Sequence, residues 1–212
     1  ARAEDHLRDG GFETVQRMPR GDSRKKIARY ERWVDTQGEQ GQRAMLANTE
    51  LSNSELAGTD LSAADLSGAL LTGARMTGCK LSMCNLAHAD LTRANLMNAD
   101  MRGINLTGAT MSRANLRKAD LGTVKGRDSK GRATGKTWRA DLSGADLSRA
   151  NLTDASLIGA KLDGANLVQA NLMRADLRGA SIGRANLRLA IVLDALTGPM
   201  PDRKAALKPR TP

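Results

Sequence analysis

The stretch AADLSGALLTGARMTG, residues 63–78, sets Leu66, Leu71 and Met76 five positions apart, each two residues after an alanine. Outward from it the same spacing runs from Leu46 to Leu121 without a miss, through sixteen centres that are all Leu or Met. The residue two before each centre is nearly always small, with Cys79 and Cys84 among the alanines and Ile104 the one bulky exception. The unit is A-(D/N)-L-x-x.

A period of five suits neither common element. On an α-helix it turns the apolar residue by about 140° per unit and scatters leucines around the axis. On a flat strand successive leucines would alternate sides. A backbone that turns a corner after each unit can instead point the centre, and the residue two before it, inward from one short extended face. Four such faces close a square coil, and coils stack at about 4.8 Å. The pattern predicts an all-β solenoid.

From Leu142 the period returns through RADLSGADLSRANLTDASLIGAKLDGANLVQANLMRADLRGAS, residues 139–181, and on to Leu187, each centre with alanine two residues earlier. These two runs resemble the pentapeptide-repeat family, over about two thirds of the chain, and such long in-phase runs are specific for fold. The resemblance implies a right-handed quadrilateral β-helix. With 26 centres in all, the expectation is about 6–7 coils and a rod roughly 30 Å long.

The attachments divide the rest. Residues 1–21 read as a flexible arm. Residues 22–43 read as a capping helix and entry, with Asp22 or Ser23 as N-cap and Ile27, Tyr30, Trp33 and Val34 at helical spacing before Gly38. Such a helix would cover the open first coil, whose core and edge are otherwise exposed, or would bind a partner. The first repeat block spans 44–121, and its corners favour glycine, as at Gly68, Gly73, Gly78, Gly103 and Gly108. A basic, Gly-rich insertion, GTVKGRDSKGRATGKTWR, occupies 122–139. Leu121 to Leu142 is 21 residues, so this segment is either an excursion of about 16 residues or a distorted turn. The second block spans 140–190. Residues 191–212 are expected to fold over the last coil and then trail as a disordered basic tail.

Charge separates coil from attachments. The chain carries +10, yet the repeats as far as Gly198 hold thirteen basic and thirteen acidic residues. The insertion holds six basic residues against Asp128 alone, and the tail from Pro199 four against one. Only 2% of residues are aromatic, and Phe12, Tyr30, Trp33 and Trp138 all lie outside the repeats. There is no apolar run long enough to span a bilayer, and the start ARAEDHLRDGG lacks a secretory apolar segment, so a cytoplasmic protein is expected. Cys79 and Cys84 read as fillers of alanine-sized slots, against a disulfide or metal pair. Two cysteines without histidine partners are too few for a structural zinc site.

Catalysis finds little to work with. GRATGKT falls short of a phosphate-binding P-loop: Gly131 precedes Gly135 by four positions instead of five, and no helix is expected after it. His6 lies in the arm, and His88 should point outward. Serines follow the centres without a base to activate them, and the aspartates before the centres recur because they suit the coil. A filled square core also leaves no pocket. The expectation is no enzyme, no cofactor and no metal.

Binding fits better. The insertion offers Lys125, Arg127, Lys130, Arg132, Lys136, Arg139 and Trp138 to an acidic protein face or to phosphates, or else is a tolerated surface loop. If Leu142 takes the face after Leu121, Arg93, Arg113 and Arg149 stack in one column, with Asp90 and Asp146 near enough to neutralise it. Within the family the quinolone-resistance proteins resemble duplex DNA and bind DNA gyrase. Duplex DNA carries about one negative charge per 1.7 Å, whereas these coils sum to zero. The leading reading is therefore a protein-interaction scaffold acting through the basic loop, capping helix or coil faces. The alternatives are a gyrase or topoisomerase binder, and direct nucleic-acid binding through loop and tail. Whether the rod associates with itself is left open.

Overall fold

The computed structural model describes residues 45–127 and 130–198, together with Lys25. The arm, the capping residues Ile27, Tyr30, Trp33 and Val34, and the basic tail lie outside the described residues.

One unit shows how five residues satisfy a backbone. Asn85 N–H donates to the Ala64 carbonyl of the preceding coil at 2.9 Å, and Leu86 N–H to Asn105 of the following coil at 2.7 Å. The next amide, Ala87, has no main-chain acceptor in reach and is taken by the Asn85 side chain at 3.3 Å. His88 N–H reaches the Thr107 carbonyl at 3.0 Å, and Ala89 N–H closes the turn onto Leu86 at 3.1 Å. Three of the five donors thus bond between coils, one within the turn and one to a side chain. Asp and Asn precede the centres because an apolar residue there would leave an amide without a partner.

The corner falls on the second residue after each centre, where φ is positive from Asn48 at 54° to Asp194 at 56° at every unit but that of Leu121, where Thr123 starts a strand. Glycine takes this conformation freely, whereas other residues lose roughly 1–2 kcal/mol. Arg93, Arg113 and Arg149 all adopt it, near 58°.

Bridges join parallel partners twenty residues apart, from Met45 with Asp65 to Asp100 with Asp120. Across the interruption the offset becomes thirty-six, from Asn105 with Asp141 to Asp120 with Ser156, then returns to twenty. Sixteen residues are therefore extra, and of the two sequence readings the excursion is the one adopted. Asn side chains extend the ladder, as Asn105 donates to Asn85 at 2.9 Å and Asn85 to Asp65 at 3.0 Å.

The interior is Leu, Met and Ala, with the centres from Leu61 through Leu167 fully buried and Ile104 accommodated at 0% exposure. Both cysteines are buried and free. Cys79 donates its thiol to the Leu56 carbonyl at 2.7 Å, and burial pushes it up to about 11. They fill the inward slot.

The C-terminal reading needs correction. Residues 191–198 do not fold across the last coil; they continue it, with Ile191 bridged to Asn171 and Leu196 to Asp176. Val192 occupies a centre and Asp194 the corner, because Ala190 and Ala195 keep the small residue in phase even though Ile and Leu replace the Asp or Asn. Val192 is 53% exposed, in contrast to Leu56 at 4% near the other end. Among the described residues no helix is long and apolar enough to cross a membrane.

Candidate partner-binding hairpin and basic face

The excursion is a β-hairpin. After Leu121, Gly122 gives its N–H to the Asp120 carboxylate at 2.9 Å, and its carbonyl accepts from Gly103 N–H at 3.1 Å. The chain then leaves the coil as β1, Thr123–Arg127, and returns as β2, Ala133–Arg139. The strands are antiparallel, pairing Thr123 with Arg139, Val124 with Trp138 and Lys125 with Thr137, with a register shift before Arg127 pairs with Ala133. Thr, Val and Trp favour this extended pairing, and Gly131 and Gly135, both with positive φ, relax the turn end.

Two contacts moor the hairpin to the rod, and a third packs within it. Val124 and Trp138 close around Gly103, where an added Cβ would lie 3.2 Å from Val124 Cγ2 and 3.4 Å from Trp138 Cβ. The Trp138 ring then covers Gly126, whose place a larger residue could not take without meeting Cζ3 at 3.0 Å. Finally Arg139 donates through Nε to the Gly159 carbonyl and through Nη2 to that of Gly179, at 2.9 Å for the latter. One guanidinium thus clasps two successive coils.

The seven residues expected to meet a partner therefore divide. Arg139 is spent on the coil, Arg127 donates to the Gly131 carbonyl at 2.8 Å within the hairpin, and Trp138 packs yet remains 41% exposed. Lys125, Lys130, Arg132 and Lys136 are exposed and project from the hairpin. Lys125 and Lys136 form no ion pair among the described residues. The mooring role of Arg139 was missed in the sequence, because a spacing of twenty and forty residues to two glycine carbonyls leaves no local signature.

The basic column is in register. Arg93 N–H bonds Ser112, Arg113 N–H bonds Ser148 and Arg149 N–H bonds Val168, which places the three arginines at one corner of consecutive coils, all exposed. The two carboxylates expected to neutralise them are occupied. Asp90 accepts from Thr92 N–H at 2.9 Å and Thr72 Oγ1 at 2.9 Å, and although burial pushes its carboxyl up, these bonds hold it below the usual range. Asp146 accepts from Ser148 N–H at 3.0 Å and Asn166 Nδ2 at 2.9 Å. No ion pair of Arg93, Arg113 or Arg149 is formed among the described residues.

GRATGKT runs into strand β2 with no helix after it, unlike a P-loop. His88 is exposed and lies over Gly108, where an added Cβ would sit 2.7 Å from Nδ1. Among the described residues no group of three or more His, Cys, Asp or Glu could hold a metal ion.

The family model described as pentapeptide repeats matches in 8 copies, over residues 44–82, 84–122, 138–167 and 155–191. Among solved structures, HetL, involved in heterocyst differentiation regulation in the cyanobacterium Nostoc sp. strain PCC 7120, is 31% identical. The match covers 73% of this chain and 78% of that one, with a TM-score of 0.24. Rfr23 from the cyanobacterium Cyanothece 51142 is 29% identical over 59% of this chain and 60% of that one, TM-score 0.28. A trypsin-treated variant of QnrB1, a plasmid-mediated fluoroquinolone resistance protein, is 17% identical over 78% and 89%, TM-score 0.36. No curated protein sequence matches. With its repeats matched on both sides of the hairpin, the chain belongs to the pentapeptide-repeat family, whose members form right-handed quadrilateral β-helices.

Proposed function

We propose that the chain is a non-enzymatic, cytoplasmic interaction scaffold: a rod of about 6–7 coils, capped by a helix over residues 22–43, that presents the β1–β2 hairpin to an acidic protein face. The observation that carries this reading is the division of labour within the hairpin. Arg139, Val124 and Trp138 fix it to three coils, while Lys125, Lys130, Arg132 and Lys136 remain on its exposed surface. A surface loop without a role needs no such mooring. Attraction by these exposed cations reaches about 8 Å at physiological ionic strength, so binding is expected to weaken as salt rises. The two buried thiols, neither paired in a disulfide, are in keeping with a reducing compartment.

The test exploits the period. Replacing residues 122–139 by the dipeptide Ser-Gly joins Leu121 to Ala140 with the unit unbroken and puts glycine at the corner. The intact protein and this variant are compared in capture from native host lysate, and the captured partner is then titrated in purified form at rising salt. Purified binding that is salt-sensitive and lost with the hairpin supports the proposal; equal affinity in both proteins overturns it. Were the purified partner nucleic acid, direct nucleic-acid binding through the same cations would replace the scaffold reading. Were it gyrase or another topoisomerase, the interaction would be that of the quinolone-resistance branch, achieved without an acidic coil.

A further inference from the structure

The basic column borders a concavity that the hairpin does not touch. A groove of 390 Å³ opens beside Arg113 and Arg149, with Ser112, Ser148, Asn166 and Gln169 in its walls. Its size falls within the roughly 300–1,000 Å³ of small-ligand clefts. From this arrangement we infer that the groove binds a small phosphorylated molecule, with its phosphate held between the guanidinium groups of Arg113 and Arg149.

Four features of the groove lead there. First, Arg113 and Arg149 stand at one corner of consecutive coils, whose backbones lie about 4.8 Å apart, so two like charges are neighbours, and among the described residues no carboxylate pairs with either. An oxyanion between them relieves that repulsion. Second, Arg149 is already aimed: its Nε donates to Gln169 Oε1 at 2.7 Å, which orients the guanidinium and leaves both terminal nitrogens for another acceptor. Third, Ser148 Oγ donates to Ser112 Oγ at 3.3 Å, so the Ser112 hydroxyl retains its own proton for a ligand oxygen. Fourth, the acidic groups on this face are accounted for. Asp90 accepts through both oxygens, from Thr92 and Thr72, and Asp146 through Oδ1, from Ser148 and Asn166, and neither pairs with an arginine of the column. With Arg93 one coil further, the column remains net positive.

Two guanidinium groups carry a charge of +2, which a phosphate monoester, at about −1.5 to −2, matches and a carboxylate, at −1, does not. The remaining volume, bounded by Asn166 and Gln169, takes the polar body to which that phosphate is attached.

This site is independent of the hairpin, and the test separates them. Amide NMR spectra of the full chain are titrated with inorganic pyrophosphate as probe, alongside two double variants. Arg113→Asn with Arg149→Asn removes both forks yet keeps a residue that tolerates the positive φ. Lys125→Gln with Lys136→Gln removes hairpin charge of equal size. The expected result is saturable shifts at Ser112, Arg113, Ser148 and Arg149, weakened about tenfold or more by the first pair and unchanged by the second. Dispersion and melting temperature of the first pair check that it is folded. Shifts that centre on the hairpin, affinity unaltered by the arginine pair, or no saturable shift in the wild-type chain would overturn the assignment.

Discussion

The coil and the hairpin are both β-structure, yet they are held by opposite means. In the coil each unit borrows its hydrogen-bond partners from residues twenty positions away and buries its centre completely, as Leu86 does. In the hairpin the partners are near in sequence, Val124 with Trp138, and every residue of β2 is exposed. The coil is stabilised by repetition, and nothing in it is special. The hairpin is stabilised by a few individual contacts, above all Arg139 across two coils, and leaves Lys125 and Lys136 exposed on its surface. On the proposed reading, the solenoid separates rigidity from recognition by placing them in different segments.

The contrast is open to attack at several strengths. The largest effect is expected from Leu86→Ala, which should lose about 2–5 kcal/mol in urea unfolding followed by circular dichroism, because a thin, filled core cannot collapse around the cavity. Val124→Ala in the hairpin should lose less than about 1.5 kcal/mol; comparable losses would abolish the distinction. Next comes Gly103→Ala, which touches both regions. Its φ of +63° and the Met83 sulfur 2.7 Å from the new Cβ should together lose roughly 1–3 kcal/mol and loosen the hairpin. Red-shifted Trp138 emission, read in a Trp33→Phe background, would report that loosening.

Acid should act on the carboxylates of the coil. Asp60 and Asp141, like Asp90, are pushed up by burial but carried below the usual carboxylate range by hydrogen bonds, from Ser62 and Lys80 in one case and Ser143 and Lys161 in the other. A carboxyl depressed in the folded state contributes stability that is present above its unfolded value, near 3.9, and lost as pH falls through the folded value. The melting temperature should hold from neutral pH to about pH 4 and drop below it. The smallest effect is Arg139→Gln, with a global change of about 1 kcal/mol or less but faster proteolytic nicking between Gly122 and Ala140. Unchanged nicking would mean that Arg139 is not the mooring.

Most of the coil could be read before any coordinates. The centres and small residues repeat so strictly that the square cross-section, the buried cysteines and the arginine column all follow from phase. At 191–198 that reading stopped too early, since Ile191 and Leu196 stand where Asp or Asn is usual, although Ala190 and Ala195 still marked the frame. The hairpin was legible as an insertion but not as a paired structure: Gly-rich, charged segments carry no period, and the pairing of β1 with β2 depends on how Gly103 and Gly159 let them approach the corner. The groove was invisible for a related reason. Sequence can align Arg113 with Arg149, but it cannot show Gln169 turning one of them or two serines meeting at 3.3 Å.

The side-chain acceptor in front of each centre leaves a trace in time as well as in space. Amides that bond between coils open only when neighbouring coils part, whereas the one after each centre is guarded by a single Asp or Asn oxygen, as Ser67 is by Asp65. Where Leu70, Arg75 or Lys80 stands instead, that oxygen is missing and Thr72, Thr77 and Ser82 lack even this guard. Transferred into heavy water, the rod should therefore take up deuterium with a beat of five residues, loudest where the Asp or Asn is replaced, so that the period written in the leucines is heard again in the solvent.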